Sequence, residues 1–81
     1  MYEKYIPLHQ VHIGKTCIIK ELKATGSQRR RLLDLGFTQD TPITVIRRSP
    51  LGDPTAYLIK KSIIALRQEE ASKILVEIIR N

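Results

Sequence analysis

The sequence contains no tryptophan, a single phenylalanine and a single cysteine. Its aromatic residues are Tyr2, Tyr5, Phe37 and Tyr57, so any core must be aliphatic, built from Ile, Leu and Val. The lone Cys17 excludes an internal disulfide and suits a reducing, cytosolic setting. Long apolar runs are missing as well. The longest, such as IIAL at 63–66, fall far short of the roughly 20 residues that span a bilayer. The opening MYEKYIPL has no apolar h-region and does not read as a signal peptide. There is no G-x-x-x-x-G-K phosphate loop, no H-E-x-x-H and no nucleophile elbow, so an enzyme is not expected.

What is present is positive charge and β-like patterning. Fourteen Lys and Arg against eight Asp and Glu give a formal net charge of +6, which suits an anionic partner. Eighty-one residues form one domain over 1–81, close to the lower limit for an independent core. A chain of this size buries only about 60% of the surface it exposes when unfolded.

Lys15 to Leu22 is rich in β-formers and reads as a first strand after a lead-in from Pro7 to Gly14. Ser27 is placed to cap a short helix over Gln28 to Leu35, with Gly36 suited to the left-handed residue that ends it. Pro42 to Arg48, Thr55 to Lys60 and Ser62 to Arg67 read as three further strands, Gln68 to Ala71 as one helical turn, and Ile74 to Arg80 as a fifth strand. Pro50 and Pro54 cannot donate to a ladder, so they bracket a stiff turn at Gly52-Asp53. Five short strands with one helix suggest a small, strongly bent antiparallel barrel. Closure would remove exposed strand edges.

Arg29, Arg30 and Arg31 fall in the first turn of the expected helix, where each cation is unfavourable by about 0.3–1 kcal/mol. Two readings remain open: an anion-attracting patch for a partner carboxylate or phosphate, or a solvated cationic surface. Consecutive helix residues point about 100° apart, so all three cannot serve one contact. Arg47-Arg48 and Lys60-Lys61 sit at opposite ends of one hairpin, which argues against a continuous nucleic-acid track. Few aromatics are available to stack bases. His9, His12 and Cys17 are the only soft metal ligands, too sparse for a recognised site, and Cys17 fits a small buried hydrophobe equally well. If Ile74, Val76 and Ile78 face inward, Leu75 and Ile79 face out. Ile18-Ile19 and Ile63-Ile64 each place one residue outside too. A hydrophobic contact surface involving the last strand is therefore expected, for self-association or for docking.

Three stretches, RRRLLDLGF at 29–37, SPLGDPTAYLI at 49–59 and ALRQEEASKILV at 65–76, resemble the FeoA family in order and spacing. The likeness runs from Leu8 to Ile79. Asp40 and Lys61 stand where that family usually has glycine. If those sites need positive φ, Asp tolerates it better than Lys.

The resemblance implies a mainly β, SH3-like barrel of about five antiparallel strands with a short helical insertion. It implies a non-enzymatic cytosolic accessory of ferrous iron transport, docking on or regulating the FeoB membrane GTPase transporter and so lying at the inner face of the membrane. No cofactor is required on this reading, with His9, His12 and Cys17 the candidates should a transition metal such as Fe(II) or Zn(II) bind. Partner contacts are assigned to Arg29, Arg30, Arg31, the loop tip Leu51-Gly52-Asp53, Leu75 and Ile79, with a homo-oligomer left open. The competing reading is a metal-responsive regulatory or nucleic-acid-binding SH3-like module. Iron-dependent repressors carry a similar domain behind a helix-turn-helix, and nothing before Leu8 supplies one.

Overall fold

In the computed structural model, which describes residues 5–79, an antiparallel sheet wraps around one aliphatic core. Its strands are β1 (Ile6–Pro7), β2 (Thr16–Leu22), β3 (Pro42–Arg48), β4 (Thr55–Ile59), β5 (Ser62–Leu66) and β6 (Ile74–Ile78), in the spatial order β1-β6-β2-β3-β4-β5. A 3-10 turn (Leu8–Gln10) follows β1, helix α1 (Gly26–Asp34) is inserted between β2 and β3, and the short helix α2 (Gln68–Ala71) joins β5 to β6.

Period-two alternation decides which side chains point inward. Cys17 and Ile19 of β2, Ile43 and Val45 of β3, Tyr57 and Ile59 of β4, Leu66 of β5, and Ile74 and Val76 of β6 are all buried. Leu8, Val11, Leu32 and Phe37 close the core from outside the sheet. Each such large apolar side chain contributes about 1.5–3 kcal/mol relative to exposure. The sheet bends at two irregularities, one between Ile19 and Glu21 in β2 and one between Val45 and Arg47 in β3. An extra residue at such a bulge raises the local twist, which lets short strands curve round a narrow core.

Helix α1 ends as its sequence suggests. The Phe37 N–H donates to Leu32 C=O and the Gly36 N–H to Leu33 C=O, each at 3.0 Å, with Gly36 at φ +105. That is the double bond of a left-handed helix stop, and buried Phe37 packs with buried Leu32 into the same core. The other end differs from expectation. The helix starts earlier, with Thr25 at the N-cap and no side-chain cap bond, so Ser27 lies inside it. Arg29, Arg30 and Arg31 therefore belong to the second turn rather than the first, beyond the strongest part of the helix dipole.

Three further expectations are corrected. The sheet has six strands, because Ile6 and Pro7 pair with Val76 and Leu75, a contact too short and too distant in sequence to leave a periodic trace. It is not closed by hydrogen bonds: β1 and β5 are its two ends. Ile78 is 37% exposed and stays out of the core, although its pairing partner on β2, Cys17, is buried. The last strand is described only to Ile78, and Arg80 lies outside the described residues.

Candidate functional site

Four side chains decide how α1 sits. Lys73 Nζ donates to Gln28 Oε1 at 3.0 Å, and Arg29 Nη1 donates to the Leu22 carbonyl at 2.9 Å. Arg31 forms an ion pair with Glu70 of α2. Leu32 is fully buried. With those contacts facing the domain, the helix turns Arg30, Leu33 and Asp34 outward, and all three are exposed.

Arg29 and Leu33, one helical turn apart, form the ridge between two shallow depressions. On one side a groove of about 190 Å³ runs between α1 and β2, floored by Ile19, Leu22 and Phe37 and edged by Lys20 and Glu21. On the other, Arg29, Arg30, Leu33, Gly26 and Asp34 line an open hollow on the helix's outer face. Arg30 has no hydrogen-bond or ion-pair partner among the described residues. Arg29 keeps donors to spare, because one carbonyl uses only part of a guanidinium with five N–H groups. The face thus offers two cationic forks around a leucine that is 37% exposed, suited to an acidic surface with an apolar spot at its middle. Lys20, at the groove's edge, is already engaged by Asp40 at 3.3 Å. That hydrogen bond pushes the Lys20 pKa up against the opposing cost of burial.

The arginine run is therefore divided. Arg30 lies on the outer face and Arg29 on its border, tied to the Leu22 carbonyl, while Arg31 points to the other flank and holds the two helices together. The Leu51-Gly52-Asp53 loop approaches the start of α2. Asp53 Oδ1 accepts the Gln68 N–H at 2.8 Å, capping that helix, so Asp53 is an internal support. Gly52 takes φ +90, its N–H bonds Ser49 C=O at 2.8 Å, and Leu51 is left 94% exposed at the tip. Of the last-strand residues, Leu75 is half-buried opposite Pro7, and Ile79, 40% exposed, lies at the end of β6 remote from α1. The structure does not bring either into the α1 face.

The metal candidates do not converge, and among the described residues no three His, Cys, Asp or Glu side chains are placed to hold an ion. His12 is exposed, His9 is half-buried in the 3-10 turn, and Cys17 lies in the core, where burial pushes its thiol up to about 11. A thiol so disposed is protonated at neutral pH and a poor metal ligand. Arg48 is another departure from a free cationic surface. Its Nη2 donates to the His9 and Val11 carbonyls at 3.1 and 3.3 Å, pinning the lead-in turn to β3. Sequence reasoning did not single out Leu33, which the structure leaves exposed between the two depressions. The signal was its position four residues after Arg29 and three after Arg30, on a helix whose buried stripe passes through Leu32.

No helix among the described residues is long and apolar enough to cross a membrane. A sequence model of the FeoA domain matches residues 6–78. A fusion protein of Porphyromonas gingivalis, named as Fe(2+) transport protein A joined to the Fe(2+) transporter FeoB, is 39% identical over 72 residues, covering 89% of this chain. The chain spans only 8% of that relative's length. Among solved structures, a FeoA-like protein of Clostridium acetobutylicum is 30% identical with a TM-score of 0.89, covering 99% of this chain and 93% of that one. FeoA of Stenotrophomonas maltophilia, solved with zinc and described as an SH3 domain protein, shares the fold at a TM-score of 0.73 and 23% identity, covering 93% of this chain and 91% of that one. The architecture is thus a mainly β, SH3-like barrel with a short helical insertion. On the match across 6–78, the chain belongs to the FeoA domain family.

Proposed function

We propose that this chain is a non-catalytic accessory of ferrous iron transport that docks, through the outer face of α1, on the cytosolic part of a FeoB-type membrane transporter. The observation that carries the reading is the unpartnered Arg30 beside Arg29 and exposed Leu33, on a helix otherwise lashed to the domain by Gln28, Arg31 and Leu32. A rigid helix presents such a face without the ordering entropy a loop would add on binding. The fusion in the Porphyromonas relative supports the partner, since joining two modules in one polypeptide raises their effective concentration for each other. The domain works in the cytoplasm on this reading, and reaches the membrane's inner face only through its partner. Any GTP hydrolysis belongs to the transporter, whose conformation the docked domain biases by binding one state better than another.

The test is a pull-down from membranes containing the transporter, comparing the unaltered chain with the Arg29→Glu/Arg30→Glu double variant. Retention by the former and loss by the latter is expected. Equal retention would remove α1 as the docking face.

A further inference from the structure

We infer that the outer edge of β5 is a second docking surface, separate from α1, that takes an extended segment of a partner as an added strand, apolar at its middle and acidic at both ends. Strand β5 is an end of the sheet, paired only with β4. The two are joined by a two-residue turn in which Lys60 and Lys61 both take positive φ, at 49 and 70. A turn of that kind is closed by a hydrogen-bonded pair, here Ile59 opposite Ser62. Hydrogen-bonded and non-hydrogen-bonded pairs then alternate, so Ser62, Ile64 and Leu66 direct their N–H and C=O groups at β4. Ile63 and Ala65 direct theirs away, with no backbone partner among the described residues. Both are exposed, Ile63 to 67%, so solvent reaches this edge.

Usual protections against strand addition are missing between Ser62 and Leu66: no proline, no charge and no break in register. The side chains favour a partner that is apolar where it pairs. Ile63 stands opposite Leu58, itself 38% exposed, and Ala65 opposite Ala56, making a four-residue apolar strip on the outer face. A strand laid beside β5 would extend that strip.

Charge identifies the occupant. Lys60 and Lys61 stand at one end of β5 and Arg67 at the other, all exposed and none in an ion pair among the described residues. In a second copy of this chain, the antiparallel register that uses both Ile63 and Ala65 would set Lys61 against Arg67 of the other copy, twice over. Like charges opposed across a strand pair disfavour that dimer, whereas acidic residues at each end of a foreign segment meet both clusters.

The probe is a short acetylated peptide with Val-Thr-Val at its centre and Glu-Glu at each end. Controls are the same peptide with Lys-Lys ends, and one with alternate amides N-methylated. The readouts are affinity by calorimetry and hydrogen exchange of the Ile63 and Ala65 amides. The Glu-ended peptide should slow both amides, and both controls should bind at least about tenfold more weakly. Ala65→Pro, which deletes one outward N–H, should abolish binding. Should that variant misfold, Lys60→Glu/Lys61→Glu gives the independent test, because it should shift preference toward the Lys-ended peptide. Two results overturn the proposal: Ile63 and Ala65 amides that exchange no more slowly with the Glu-ended peptide, or amides already protected without it in a chain that sediments as a dimer.

Discussion

Arg31 of α1 and Glu70 of α2 form an ion pair between residues 39 positions apart in sequence. The Glu70 side chain is only 16% exposed, and its other oxygen, Oε1, accepts the Arg67 N–H at 3.1 Å at the start of α2. One carboxylate thus caps one helix and anchors another. Loss of Glu70 removes both contacts, whereas loss of Arg31 removes one. Glu70→Ala should cost about 1.5–2 kcal/mol and Arg31→Ala about 0.5–1 kcal/mol in urea denaturation, with the pair non-additive in a double-mutant cycle. Equal costs would mean that the cap contributes nothing.

Asp53 caps the same helix from the neighbouring loop. Asp53→Ala should lower stability by about 1 kcal/mol and leave transporter binding unchanged, while Leu51→Ser should leave stability within about 0.5 kcal/mol. Thermal melts alongside a binding assay separate the two.

Lys61 and Asp40, where the family usually has glycine, are both left-handed, at φ 70 and φ 67. The angles are similar, but Asp tolerates them better than Lys, and the neighbours differ. Asp40 holds Lys20 at 3.3 Å, and Lys61 holds nothing among the described residues. Lys61→Gly should therefore raise stability by about 0.5–1 kcal/mol, and Asp40→Gly should change it by less, since the relieved backbone is offset by a lost ion pair. Chemical denaturation of both variants decides the matter.

Burial pushes the Cys17 thiol up to about 11, while in the unfolded chain it ionises at about 8.5. Between those values the unfolded state gives up a proton that the folded state keeps. The thiol's contribution to stability is thus whole below about pH 8.5 and declines as pH rises toward 11. Cys17→Ala should be less stable at neutral pH but should lose less between pH 8.5 and 11 than the unaltered chain. Cys17 should also resist a disulfide reagent at pH 8 until denaturant is added.

Local rules made much of the architecture legible. Pro50 and Pro54 bracket the turn between β3 and β4, and Gly36 marks the end of α1. Alternation in the last strand puts Ile74 and Val76 on the inner face, as observed, though not Ile78. What stayed hidden depends on partners far apart in sequence. Ile6 and Pro7 are a strand only because β6 offers them an edge, and Arg48 is structural only because the carbonyls of His9 and Val11 lie beside it. The arginine run was visible as a feature, but its division was not. Composition cannot tell that Arg31 would be claimed by Glu70 while Arg30 remained unclaimed.

The affinity of the chain for the isolated cytosolic domain of a FeoB-type transporter, measured with Arg30→Glu and with Lys15→Glu, separates a specific contact from mere positive charge. Both substitutions reverse one exposed cation that has no ion pair among the described residues, so they change net charge equally. Arg30→Glu should weaken binding at least about tenfold with an unchanged melting temperature, and Lys15→Glu should alter it less than about twofold. Equal losses, or undiminished binding by Arg30→Glu, would contradict docking through α1.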